Sequence, residues 1–536
     1  MIKRLTPLIA LLVVMAAILA ACDQPLTFVV VTATPGTPAA TAEATAETTL
    51  EATPEVTPEA PTTVPTAEPI TPAFTAVTLP PSVQITPLVT SGPTATWLGP
   101  VVGEGYALPP TEPPPAVPAT PGPVLGGTPG TETPTVSPTG PTGTPAPVPV
   151  IPTIDASKVG IQLDVNLSQE DWAEAMRMAE QLGVKWLKVQ LPWKDMQPNG
   201  PDSRNDEFFG RVEQYLEDAA RRGFSVLVSV VKAPAWARSN QAEDGPPDNP
   251  QHLANFISLV LNEISAGLAR PMLGDYIDAV EIWNEPNLQR EWQGTLPFNG
   301  AGYMQLFAPA YQAVRAYSPD IAVITGGLAP TSTSPYSVDD RDFLGQMFAA
   351  GLGNYTDVSI GVHPYSWGNP PDATCCNAVD GQGWDDDPHF YFADTMREYR
   401  GIAANYGRTG MPMWVTELGW ASWDGFPGAV PDGNEWMAYN DRWDQAFNTI
   451  RALEINQSSP DVIGTILWNL NFGVLAGMIE NRDERAAYSM LVKGSACAVD
   501  PQDSNRTERP VYWMLHDALR PEIVLQDWCG VPPVRD

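Results

Sequence analysis

The sequence predicts an α/β protein whose folded part is a (β/α)8 barrel, a TIM barrel, preceded by a signal peptide and a long disordered linker. Three observations predict it. Eight short apolar runs alternate with helical patterns from residue 155 onward. Polar residues cluster at the carboxyl ends of several different runs. No Gly-rich phosphate loop marks the switch point of an open, doubly wound sheet, which is the competing arrangement. A barrel instead brings eight strand ends around one mouth, where its active sites lie.

The chain of 536 residues is uneven. Residues 1–22 read as an exported leader. Lys3 and Arg4 form the charged start, Leu8 to Leu19 the apolar stretch, and Leu19-Ala20-Ala21-Cys22 closes it. Residues 23–153 are rich in Thr, Pro and Ala and have no Lys or Arg. Such a stretch buries too little apolar surface to offset its ordering entropy, so an extended, semi-rigid spacer is expected. Residues 154–536 are long enough for one large domain. The net charge of −33 is wrong for nucleic acid and for binding directly to an anionic lipid surface. It suits a domain acting on a neutral substrate.

The first run is Val159 to Asp164, followed by a helix opened by Ser168 and ended by Gly183. The second is Lys185 to Leu191, leading into Pro192-Trp193; a helix through Phe209 and Leu216 stops at Gly223. The third, Phe224 to Val231, is apolar apart from Ser225 and Ser229, in keeping with a strand buried on both faces. It leads to Pro234-Ala235-Trp236, and a helix starts near Pro250. The fourth is Val280-Glu281-Ile282-Trp283-Asn284-Glu285-Pro286. After a helix from Tyr303 to Tyr317, the fifth is Ile321 to Gly327. The sixth, Val358 to Val362, ends in His363-Pro364-Tyr365. The seventh is Met413-Trp414-Val415-Thr416-Glu417. The eighth is Val462 to Asn469 and carries Trp468, and a last helix is expected over Val511 to Leu519.

Strands 4 and 7 face each other across a barrel mouth, so Glu285 and Glu417 are placed to meet over one ligand. Two carboxyls so placed serve glycosidic bond cleavage, one as proton donor and the other as nucleophile or base. Asn-Glu-Pro at the end of strand 4, with Thr-Glu-Leu-Gly-Trp at the end of strand 7, resembles clan A of the glycoside hydrolases, closest to families 5 and 39. The resemblance covers about residues 155 to 530. It implies a retaining mechanism with Glu285 as acid/base, raised in pKa by its neighbour, and Glu417 as nucleophile. It further implies that Asn284 binds the sugar 2-hydroxyl, that Tyr365 of the His363-x-Tyr365 pair is turned towards the nucleophile, and that Trp468 forms the floor under the reacting sugar. Where the clan usually has an Arg on strand 2, this chain has Lys188, which keeps the charge but loses the bidentate fork. Trp193 and Trp236 are further candidates for sugar contact, with Trp367, Trp420 and Trp423 behind them.

The leader resembles that of bacterial lipoproteins, which implies acylation of Cys22 and an export-site location: a lipid anchor in a bacterial membrane, with the domain outside the cytoplasm. Export favours disulfides. Cys497 with Cys529 is the pair expected, and the adjacent Cys375 and Cys376 are open to a vicinal bridge. No ligand spacing suggests a metal, and no cofactor is expected. The partners expected are a carbohydrate and, through the anchor alone, a membrane; the chain is expected to act as a monomer. A non-catalytic polysaccharide binder and a transglycosylase using the same two Glu residues remain open, as does the glycan.

Overall fold

In the computed structural model, residues 150–240, 244–265, 275–376, 387–426, 428–475, 477–492, 508–524 and 528 are described. The leader, the linker as far as residue 149, Cys22, Cys497 and Cys529 lie outside them, as does part of the loop after Trp367. Eight parallel strands close into a barrel in chain order. They are β1 (Val159–Leu163), β2 (Trp186–Pro192), β3 (Ser225–Val231), β4 (Ala279–Ile282), β5 (Ala322–Thr325), β6 (Val358–Val362), β7 (Met413–Leu418) and β8 (Val462–Leu467). The barrel is therefore the arrangement adopted, and the open sheet is not.

Helices follow the strands around the outside: α1 (Gln169–Leu182), α2 (Asp206–Arg221), α3 (Pro250–Val260), α4 (Gly300–Tyr317), α5 (Asp340–Ala349), α6 (Phe392–Asn405), α7 (Arg442–Gln457) and α8 (Pro510–Leu519). Their ends follow local chemistry. The Ser168 side chain accepts from the Asp171 backbone N–H at the start of α1, and Gly183 ends the helix at φ 92°, in the left-handed region where a side chain is strained. The buried stripe of α1 includes Trp172, which stacks on Tyr215 of α2 at 4.2 Å between ring centroids.

The barrel interior has two zones. Its lower part is apolar: Leu227, Ala279, Ile324, Trp414 and Ile466 pack together with Trp186. Above them come polar side chains, all buried: Lys188, Ser229, Glu281, Thr416 and His363. The register brings Ser229 of β3 beside Glu281 of β4. The change from oil to charge along the barrel axis marks where packing gives way to chemistry.

Two irregularities aim side chains into the mouth. Between β7 and β8 the register passes from Val415↔Thr465 to Leu418↔Leu467, so β7 uses one more residue than its partner. This bulge lets neighbours that strand alternation would turn to opposite faces, Thr416 and Glu417, both serve the site. At the end of β4, Trp283 (φ 74°) and Glu285 (φ 40°) lie in the left-handed region. Bulky residues held there store strain, which concentrates at functional sites.

Candidate active site

Glu417 enters from β7 and meets three donors. Lys188 Nζ donates to Oε1 at 3.0 Å, Gln190 Nε2 to the same oxygen at 3.3 Å, and the Tyr365 hydroxyl to Oε2 at 3.2 Å. Gln190 also donates to Asn284 Oδ1 at 3.2 Å, tying the amide on strand 4 to the carboxylate on strand 7. Lys188 thus stands beside Glu417, as the strand-2 position implies.

Lys188 is wholly enclosed, and its second partner is Glu281, 3.0 Å away and equally enclosed. Glu281 also accepts from Ser229 Oγ and, at 3.0 Å, from the Gly327 backbone N–H. Burial opposes its charge, but Lys188 and the other donors outweigh it and hold the carboxyl well below the usual range. Burial also opposes charge on Lys188, and its two carboxylates raise its pKa despite that. Lys188 therefore links a structural carboxylate below to the mouth carboxylate above.

Glu285 sits opposite, with donors at both oxygens. His363 Nδ1 is 3.2 Å from Oε1, and Arg290 Nη2 donates to Oε2 at 2.8 Å. His363 Nε2 meets Thr416 Oγ1 at 3.1 Å. Gly327 is required here, because a Cβ on it would stand 2.3 Å from the His363 ring. Burial alone would push the Glu285 carboxyl up; the His363 hydrogen bond and the Arg290 charge bring it down to about 2. Burial works against charge on His363, but Glu417 and the bonds to Glu281 and Glu285 hold it up to about 9. The expectation of a raised Glu285 is corrected: His363 and Arg290 lower it against the opposing effect of burial.

Glu285, His363 and Glu417 each bring one atom within 4.8 Å of the other two. The trio is poorly suited to a cation, since Lys188 and Arg290 already lie against its carboxylates. Asp339, Asp340 and His389 converge similarly, but His389 bridges Asp339 at 2.8 Å and Asp387 at 2.7 Å and is held up to about 9, a cation in its own right.

A family model, Cellulase (glycosyl hydrolase family 5), matches residues 154–471, more than half of the chain. The chain belongs to glycosyl hydrolase family 5. Its barrel is a glycoside hydrolase domain. No curated protein matches it. Among solved structures it is similar to a family 39 glycoside hydrolase from the gut symbiont Bacteroides cellulosilyticus WH2, at 17% identity and TM-score 0.46, over 69% of this chain and 65% of that one. It is also similar to an exo-β-1,4-mannosidase from Opitutaceae bacterium strain TAV5, at 14% and 0.42, over 70% and 60%. A third is a GH5-4 broad specificity endoglucanase from Clostridium longisporum, at 14% and 0.42, over 71% and 100%. The chain thus spans less than two thirds of the first two.

Of the residues singled out in this family 5 domain, Glu285, Glu417, Asn284, His363, Tyr365 and Lys188 form one contact network. Trp468 joins it at the edge: half-buried, its ring lies 6.3 Å from Tyr365 and 4.9 Å from Tyr488. Trp193 is corrected. It is 0% exposed, stacks on Phe256 at 5.2 Å and donates to Gln197 Oε1, so it has no face to offer a sugar. Trp236 is half-buried and packs edge-on against Trp193 at 5.7 Å, with its indole N–H on the Gln197 carbonyl. Its contacts do not include the carboxylates. Trp367, Trp420 and Trp423 are buried packing residues. Cys375 and Cys376 are bonded to each other.

Four participants escaped the sequence reading: Glu281, Gln190, Arg290 and Tyr488. Glu281 had a usable signal, being a charge inside an apolar run and so in need of a buried partner. Arg290 had none, since an Arg in a loop is ordinarily a surface residue.

Proposed function

We propose that this chain is a retaining glycoside hydrolase that cleaves O-glycosidic bonds of poly- or oligosaccharides by double displacement. Glu417 is the nucleophile and Glu285 the acid/base. The observation that carries the reading is the separation of the two carboxylates, whose nearest oxygens lie within 4.8 Å across the mouth. Retaining enzymes hold their carboxyl groups about 5–5.5 Å apart, and inverting ones leave room for a water at roughly 6.5–9.5 Å. The asymmetry of the two settings supports the assignment. Glu417 receives a buried lysine, an amide and a phenol, which suits a carboxylate that attacks the anomeric carbon.

In the first step Glu417 forms a bond to the anomeric carbon while Glu285 gives a proton to the departing oxygen. In the second, Glu285 takes a proton from water, which displaces Glu417. Asn284, held by Gln190, binds the 2-hydroxyl. Tyr365 holds Glu417, and Trp468, backed by Tyr488, offers an aromatic face to the sugar.

The reading extends to the rest of the chain. Cys22 carries the lipid anchor, residues 23–153 act as the spacer, and the domain works outside the cytoplasm as a monomer. Glu417→Gln is expected to lower kcat/KM on the order of 10⁴-fold or more. Glu285→Gln is expected to lower it about 10²–10⁴-fold on substrates with poor leaving groups and far less on dinitrophenyl glycosides, which need no proton. Proton NMR of the first-formed anomer reads the stereochemistry. Inversion, or two variants as active as the parent, would sink the assignment.

A further inference from the structure

To act as an acid, Glu285 must carry a proton, and its two partners, His363 on one oxygen and the Arg290 guanidinium on the other, oppose one. Of its two partners, His363 is sealed within the barrel, whereas the Arg290 side chain is 32% exposed. Arg290 is the partner with room to withdraw. Its alternative counter-ions are at hand. Arg290 Nε stands 3.9 Å from Glu291 Oε1, and the charge of Glu484, from the loop after β8, is felt by the same guanidinium. Glu484 is buried, and its Oε2 has no hydrogen-bond partner among the described residues.

The backbone on either side is tied down. The Gln289 N–H donates to the Tyr336 carbonyl at 2.8 Å, and Trp283 Nε1 donates to the Glu291 carbonyl at 3.0 Å. A change of partner therefore falls to the Arg290 side chain alone.

We propose that Arg290 is a mobile counter-ion and a positioning residue for the acid step: on glycoside binding it leaves Glu285 for Glu291 and Glu484. The proton balance closes within the cluster. In the resting site Glu285 is ionised and Glu291 carries a proton. As the guanidinium moves, the O–H bond on Glu291 breaks and one forms on Glu285, with no net charge gained. The resting proton fits the surroundings of the two spare carboxyls. Burial, with Glu285 and Asp244 adding to it and Arg290 and Lys232 opposing, holds Glu291 up to about 7. Burial and Asp483, against Arg290 and Arg485, hold Glu484 there too. Around Glu285 itself the charged neighbours are Arg290, His363 and Glu417.

This inference rests on the reading of Glu285 as acid/base. The test uses the full chain and two glycosides of one sugar, the β-glucoside, β-mannoside or β-xyloside that the parent cleaves, with dinitrophenol or methylumbelliferone as leaving group. Glu291→Gln keeps Arg290 on Glu285. It is expected to lower the methylumbelliferyl-to-dinitrophenyl ratio of kcat/KM at least about tenfold, a part of the range that acid catalysis supplies. Arg290→Gln frees Glu285 of its cation and is expected to move the alkaline limb of the kcat/KM profile upward by about one pH unit. Arg290→Lys should restore the parent profile. If the ratio and the profile stay those of the parent in both Gln variants, Arg290 is a static structural cation and the proposal falls. Glu285→Gln, run alongside, separates the two failures. If it costs both glycosides the same factor, the acid/base reading fails and takes the proposal with it. If it costs mainly the methylumbelliferyl glycoside while Glu291→Gln does not, the mobile counter-ion alone is wrong.

Discussion

Lys188 and Arg290 each pair with one of the two mouth carboxylates, and the contrast between them bears on the roles proposed for Glu417 and Glu285. Each cation is shared by one mouth glutamate and one further acid: Lys188 by Glu417 and Glu281, Arg290 by Glu285 and Glu291. Lys188 is 0% exposed and locked between strands, while Arg290 rides on a loop with a third of its side chain in solvent. A nucleophile must stay ionised throughout, so a fixed, dry cation suits it. An acid must change its protonation during each turnover, so a cation that solvent can accept suits it better. The difference lies in burial, not in charge.

The comparison is most severely tested at the buried cation. Lys188→Met leaves Glu281 and Glu417 without their counter-ion and is expected to cost about 3–5 kcal/mol of stability, read by chemical denaturation. Adding Glu281→Met should recover much of that stability, because an apolar pair of similar volume replaces a buried ion pair. It should not recover activity, since Glu417 still lacks its cation. A double variant as unstable as the single one would show that Lys188 acts through Glu417 alone. Arg290→Met, by contrast, takes a partly exposed cation from the buried Glu285, which keeps His363, and should cost stability but less than Lys188→Met.

The pH dependence of stability follows from the same groups. His363 and His389 are held up to about 9 from an ordinary 6.5, so their stabilisation is complete below 6.5 and fades as pH rises through 9. Glu291 and Glu484 are held up to about 7 from 4.5, so their ionisation counts against the fold as pH rises from 4.5 through 7. Glu285, brought down to about 2, works the other way, and its contribution is lost only as pH falls from 4.5 towards 2. The melting temperature should therefore peak near mildly acid pH and decline steadily towards pH 9. A flat profile from 5 to 9 would contradict these settings.

A smaller change is expected beside Glu417, the proposed nucleophile. Tyr365→Phe removes one hydrogen bond to a charged oxygen, worth about 1.5–3 kcal/mol. With Lys188 and Gln190 still in place, kcat/KM should fall roughly tenfold to a hundredfold, with folding stability little altered.

Much of the barrel was legible in the chain. β6 runs over Val358–Val362 as its apolar pattern predicts, and α1 starts after Ser168 and ends at Gly183 because capping is local chemistry. β3, buried along nearly its whole length, read as a mostly apolar run, and the polar residues at the strand ends stood out against such runs. Trp193 and Trp468 both stand at strand ends, yet Trp193 is sealed in the core and Trp468 is half-buried. An aromatic at a strand end has one sequence signature whether its face meets a sugar or another ring, and only packing against Phe256 separates the cases.

The sequence by itself determined the strand order, the helix ends, and which two glutamates would reach the mouth. These follow from periodicity, from caps, and from the place of the two glutamates at the polar ends of runs 4 and 7. The tertiary structure alone decided the charges that act on those glutamates. Glu281 reaches Lys188 from another strand, and Arg290 turns back on Glu285 from the loop that follows it. Closure of the barrel sets the first at 3.0 Å and the turn of the loop sets the second at 2.8 Å, and neither carries a pattern along the chain.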